Sequence, residues 1–252
     1  MRRLMPYLLC LCAAAVAPGQ DQEKASGKVS AQLDDPREIL KKAQAAMSKT
    51  KAVSYNVRYR GTRWIETYVS AAEGSVMLGE LSEHDIPRFR CEIKLTAPGV
   101  KESVELTAGS DGDLYYLIDK KNKTVYADID EAVLGASNRD AQRVLMREFV
   151  AKEPLAEALK VETIELKPSE KVGDQDCYQV SIVRPERGET RLFVSKQDWL
   201  PRKVVRVYKD PERGEGSTVL ELNDLIAETK CDLKKFKLVV PKGFKKTDDF
   251  AP

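Results

Sequence analysis

The sequence is short of the residues from which most catalytic and metal sites are built. A single histidine stands among 252 residues, so a Ser-His-Asp or Cys-His arrangement, or a histidine-ligated metal, would have to use His84. His84 lies in Ser82-Glu83-His84-Asp85, a polar segment ahead of Pro87, and reads as a solvated loop residue. There is no G-x-S-x-G elbow, phosphate loop, dinucleotide fingerprint or H-E-x-x-H pair. Gly214-Glu215-Gly216-Ser217 follows Asp210-Pro211 and reads as a hairpin tip. Net charge is nearly absent as well. Lys+Arg number 42 and Asp+Glu 40, for a formal charge of +2, and the two signs are interspersed beyond short runs such as Lys245-Lys246. That excludes a nucleic-acid partner. Acids are frequent enough for a carboxylate pair, but most fall on expected wet strand faces or in turns. The composition points away from an enzyme and implies no cofactor and no metal.

No segment has the roughly 20 apolar residues of a membrane-spanning helix. The nearest is Leu4 to Val16, which follows Arg2 and Arg3 and runs into Ala17-Pro18-Gly19. A basic start, a short apolar stretch and small residues at alternate positions form a signal-peptide pattern, so residues 1–19 are expected to be removed. The removed piece takes two arginines and no acid, leaving 40 charges of each sign. Cys10 and Cys12 keep open a membrane-tethered lipoprotein, although Leu9 and Leu11 precede them where a small residue is preferred. Residues 20–34 are polar and rich in small residues and read as a disordered leader. Three cysteines then remain, Cys91, Cys177 and Cys231. An oxidising compartment allows one disulfide among them, and the alternative is that they are small core residues.

From residue 35 to 252 the chain reads as a single domain. Asp35-Pro36 opens a helix with Ile39, Leu40, Ala43, Ala46 and Met47 on one stripe. The period then changes. Val53 to Arg60 alternates strictly between apolar and polar, the mark of a strand with one wet and one dry face. The alternation returns at Phe89 to Leu95 and, less cleanly, at Val104 to Leu106. Leu114 to Ile118 and Thr124 to Ala127 flank a turn-rich connection and predict a hairpin. That turn holds Asn122-Lys123-Thr124, a glycosylation sequon in form. Asn138 is placed to cap a helix carrying Ala141, Val144, Leu145 and Phe149, and Pro154 opens a shorter one. Five further strands are expected at Val161–Leu166, Cys177–Val183, Glu189–Ser195, Lys203–Tyr208 and Ser217–Leu225. Strands joined without crossover helices pair antiparallel. A sheet with one charged face must cover its dry face with the few helices present. The expected fold is therefore α+β, a curved antiparallel sheet with helices over its apolar concave face.

Leu200-Pro201-Arg202-Lys203, the stretch Ser217 to Leu225, Phe236 and Pro241-Lys242-Gly243-Phe244 come in an order that resembles the C-terminal half of LolA-like proteins and the related outer-membrane lipoprotein-sorting group. Val172-Gly173 with Cys177-Tyr178-Gln179-Val180 resembles the strand before it. Phe89 to Leu95 and Asp111-Gly112-Asp113-Leu114-Tyr115-Tyr116 are similar to that family's central strands. The resemblance implies an incomplete β-barrel lidded by helices, in a periplasmic protein that shelters lipid or lipoprotein acyl chains or acts as an envelope regulatory or sensing module with a membrane-protein partner. A monomer is expected. Carriers of this family often place an arginine just before the proline that leads into the Phe89 strand. Here Ile86 holds that position, with Arg88 and Arg90 following, a departure that bears on lipoprotein transfer and leaves the fold untouched.

The dry faces supply candidate cavity residues: Tyr55, Val57, Tyr59, Phe89, Ile93, Leu95, Leu114, Tyr116, Tyr178, Val180, Ile182, Leu220 and Leu222. Ile39, Leu40, Met47, Val144, Leu145 and Phe149 are the candidate lid residues. Sequence alone leaves two readings open, a ligand cavity and an ordinary core filled by the helices.

Overall fold

The structure is a computed structural model that describes residues 35–129, 139–185 and 188–249. The leader peptide, the polar stretch before residue 35 and the Asn138 cap lie outside the described residues. Helix α1 (Pro36–Met47) starts where expected. The Asp35 carboxylate accepts a 2.8 Å hydrogen bond from the backbone N–H of Arg37, and Pro36 fills the first helical position. Ile39, Leu40, Ala43 and Met47 are its buried stripe.

Twelve strands form one sheet. They are β1 (Ala52–Thr62), β2 (Ala71–Leu81), β3 (Pro87–Thr96), β4 (Ser103–Ser110), β5 (Tyr115–Asp119), β6 (Thr124–Ile129), β7 (Thr163–Val172), β8 (Gln175–Arg184), β9 (Gly188–Ser195), β10 (Pro201–Asp210), β11 (Gly214–Glu228) and β12 (Lys245–Thr247). Their order across the sheet is β12-β6-β5-β4-β3-β2-β1-β11-β10-β9-β8-β7. Neighbours are antiparallel, except that β12 runs parallel to β6. Two meanders, β2 to β6 and β7 to β11, are joined through β1, which pairs with β2 on one side and β11 on the other. The sheet is curved and unclosed, as the sequence implies.

Helical segments lie over one face, here the inner face. They are α1 and an insert between β6 and β7, which contains α2 (Arg139–Val144), a 3-10 turn at Arg147–Val150 and α3 (Ala156–Leu159). Inner-face strand residues and these helices form one apolar cluster, in which Phe89, Val144 and Val180 are fully buried.

Two features differ from the sequence expectation. Strand β2 is one that alternation does not announce. Its Gly74 (φ 151°) is required because a Cβ there would come 2.1 Å from the Glu92 carbonyl oxygen, and a Cβ on Gly79 would come 2.7 Å from the Phe236 ring. Both glycines are set by close approach, and they blank out the pattern. The second difference is the register of β5. Tyr115 and Leu117 face the inner cluster. Leu114 and Tyr116, expected on that face, belong to an outer-face cluster with Ile118, Val125 and Ala127. The chain after Leu233 covers this outer cluster. Leu238 and Phe244 pack on it, and the Tyr116 hydroxyl donates to the Phe236 carbonyl. Gly109 makes the room, since a Cβ there would stand 2.3 Å from the Tyr116 ring. A short strand covered on both faces is apolar at every position, so its alternation says nothing about direction.

Candidate functional site

The site is where the insert meets the inner face. Tyr55 of β1 is its central fastening. Its hydroxyl donates to the Val144 carbonyl at 2.9 Å and accepts from the Met146 N–H at 3.0 Å, so one side chain satisfies both backbone groups as α2 ends. Burial pushes the phenol far above its ordinary value and keeps it protonated. The far end of the insert is clasped by Arg37 of α1. Its guanidinium donates to the carbonyls of Leu159 at 2.8 Å, Val161 at 2.7 Å and Glu162 at 3.0 Å. An exposed Lys152–Asp85 ion pair ties the insert to the loop between β2 and β3.

Between these fastenings the insert does not sit flush on β8, β9 and β10. A cavity of about 340 Å³ remains, lined by Met146, Glu148, Leu155 and Ala158 from the insert and by Ile182, Arg184, Thr190, Leu192, Val204 and Arg206 from the strands. Leu155 reaches it from a left-handed backbone conformation (φ 57°). Such conformations cost a non-glycine residue free energy and cluster where a ligand or switch uses them. Beside the cavity, burial raises the Tyr59 phenol above its ordinary value, while Arg143, the Thr218 hydroxyl and Arg206 draw it back down.

The residues singled out in the sequence fall into three groups. Tyr55, Val57, Tyr59, Phe89, Ile93, Val180, Ile182, Leu220 and Leu222 come together in the inner cluster with all six candidate lid residues, Ile39, Leu40, Met47, Val144, Leu145 and Phe149. The helix expected to carry Leu145 and Phe149 ends at Val144, however, and Phe149 lies in the 3-10 turn that follows. Leu95 and Tyr178 are half-buried at its margin. Tyr178 stacks on Trp199 with ring centroids 5.6 Å apart, and Lys42 of α1 caps Trp199 at 4.5 Å. Leu114 and Tyr116 lie on the opposite face, as described. Of the inner residues only Ile182 lines the cavity beneath the insert. Leu192, Val204, Thr190, Arg184 and Arg206 complete its strand wall and were not anticipated. Valine and arginine alternate in Val205-Arg206-Val207, which reads as a strand but does not say which residue faces inward.

Other candidates resolve simply. His84 is exposed in the β2–β3 loop. Arg88 is tied to the Asp111 and Glu80 carbonyls, each at 3.0 Å, and Arg90 pairs with Glu92. Asn122 closes its turn on the Asp119 carboxylate. Cys91, Cys177 and Cys231 are free thiols, with Cys91 and Cys177 buried. Among the described residues no group of three or more His, Cys, Asp or Glu side chains is placed to hold a metal ion.

No family model matches the sequence, and no curated protein matches it significantly. Solved structures do match. The crystal structure of MucB aligns with a TM-score of 0.50 at 9% identity, over 81% of this chain and 63% of that one. LprF from Mycobacterium bovis aligns with a TM-score of 0.50 at 10% identity, over 83% of this chain and 97% of that one. The lipoprotein LppX from Mycobacterium tuberculosis aligns less closely, with a TM-score of 0.45 at 10% identity, over 75% and 94% of the two chains. The chain thus spans less than two thirds of MucB and nearly all of LprF. At such identities what is shared is the fold, and it is the LolA-like incomplete barrel that the sequence motifs imply.

Proposed function

We propose that this chain is an exported, non-enzymatic carrier that shelters an acyl chain of a lipid or lipoprotein between the inner face of its sheet and the helical insert. The observation that carries this reading is the cavity of about 340 Å³ left under the insert, floored by Ile182, Leu192 and Val204. It lies next to a large continuous apolar cluster. The insert above it consists of helices of six and four residues. Such short helices have little stability of their own and depend on their packing. Their fastenings, Tyr55 and Arg37, are few and local. Displacing the insert would extend the cavity toward Tyr55, Phe89 and Leu222, the residues named from the sequence as cavity walls. Each buried methylene of a guest contributes about 0.8 kcal/mol. The export pattern in residues 1–19 supports a periplasmic location for such a carrier.

A second reading is an envelope regulatory module that binds a protein partner and holds no lipid. The packed state of the inner cluster, with Phe89 and Val144 fully buried, favours it. Native mass spectrometry of the protein purified from the periplasm without detergent separates the two. A mass excess that disappears on organic extraction, with a lipid in the extract, supports the carrier. A clean mass with no uptake of offered lipid sinks the carrier and leaves the partner-binding module.

A further inference from the structure

The lining of the cavity under the insert changes from polar to apolar along each of three adjacent strands. Moving inward from the strand ends, Arg184 gives way to Ile182 on β8, Thr190 to Leu192 on β9 and Arg206 to Val204 on β10, and all six line the cavity. The pairing register puts the change at the same level on β9 and β10, and one inner-face step nearer the strand end on β8. Thr190 stands opposite Ile182 on one side and Arg206 on the other, and Leu192 stands between Val180 and Val204. Alternate residues share a face, so two guanidiniums and a hydroxyl line one end of the cavity, with Ile182 beside Thr190 and with Leu192 and Val204 further in. The ion pairs of these strands are made by Arg191, Arg202 and Lys203. Arg184 and Arg206 make none among the described residues. Among the described residues Glu148 is the only acid in the lining, against the two arginines.

We infer that this cavity takes a single-chain amphiphile with an anionic head, a carboxylate or a phosphate. Arg184, Arg206 and the Thr190 hydroxyl hold the head, and the chain lies over Ile182, Leu192 and Val204 beneath Met146 and Ala158. The guanidinium fork matches both carboxylate and phosphate oxygens. The volume, about 340 Å³, is near the lower end of small-molecule sites, roughly 300–1,000 Å³, and suits one chain better than several. This inference rests on the carrier reading and narrows its ligand.

The test is displacement of the fluorescent probe N-phenyl-1-naphthylamine by laurate, dodecyl phosphate and dodecanol, three guests with one tail and different heads. The unaltered protein is expected to bind both anions about tenfold or more tighter than dodecanol, the worth of a charge-assisted hydrogen bond. The preference should shrink as salt is added. The double variant Arg184→Gln/Arg206→Gln is expected to keep dodecanol binding, which also reports that it is folded, and to lose the preference. If the double variant does not fold, each single variant should lose part of it. Equal binding of all three guests by the unaltered protein overturns the head-group assignment and leaves the carrier standing. So does a preference that survives in the variants. Binding of none of the three overturns the assignment and the carrier together. If only one of the two anions is preferred and the variants abolish that preference, the assignment holds and names the head.

Discussion

Tyr55 shows how much can rest on one hydroxyl. It serves a carbonyl and an N–H of the insert at once, and both lose their partner in Tyr55→Phe while the ring remains. Each buried group left unpaired costs about 1–3 kcal/mol. Urea unfolding should show a loss in that range or above, and a change under about 0.5 kcal/mol, within surface-mutation noise, would mean that the hydroxyl does not hold the insert. The thiols give a pH prediction. Burial raises Cys91 from 9.0 to about 12 and Cys177 to about 11. Both stay protonated in the fold after the unfolded chain has begun to ionise. Their contribution is intact below about pH 9 and is lost as pH rises toward 11 to 12. The chemical unfolding midpoint should therefore fall on the alkaline side. A Cys91→Ser/Cys177→Ser variant should lack the part of that fall that begins near pH 9, while the part due to the raised phenols of Tyr55 and Tyr59 remains. Tyr55 and Phe89 could be placed from the sequence because their strands alternate cleanly. Leu114 and Tyr116 could not, because β5 is apolar on both faces. Arg184 and Arg206 were invisible because a charged strand residue reads as solvent-facing until the register is known.

Among the elements, α1 was the most legible, since its cap, its proline and its apolar stripe are all local. β2 was the least, since its glycines answer to contacts that are remote in sequence. The pairing of Gly79 with Phe236 makes this measurable. A methyl on Gly79 would meet the Phe236 ring at 2.7 Å, and overpacking of this kind costs about 1–3 kcal/mol. Phe236→Ala empties a fully buried site and should cost about 3–5 kcal/mol. In the double variant Gly79→Ala/Phe236→Ala the new methyl occupies space that the ring has left. The combined loss should therefore fall short of the sum of the single losses, and strict additivity would mean the two do not touch. Arg37 offers a parallel test for the insert. Arg37→Met removes three donors to the carbonyls of Leu159, Val161 and Glu162. Amide hydrogens of residues 155–162 should then exchange faster while those of β3 stay unchanged.

At the level of the sheet, the antiparallel pairing, the curvature and the helical cover of one face all followed from periodicity and the shortage of helices. What periodicity could not supply was the second apolar layer on the outer face, where the chain after Leu233 packs. If the carrier reading holds, a guest at a hundred times its dissociation constant stabilises the fold by about 2.7 kcal/mol, and thermal unfolding should move upward with laurate concentration. The place of β1 in the strand order has a further consequence, for the order of assembly. Tyr59 pairs with Leu220, so one side of β1 stays bare until β11 has been made. Contacts between such distant segments form slowly, and an unpaired strand edge invites pairing with other chains. A nascent chain halted anywhere before Gly214 is therefore a meander with an exposed edge in its middle, in need of a chaperone's protection until the last long strand arrives to zip the halves together.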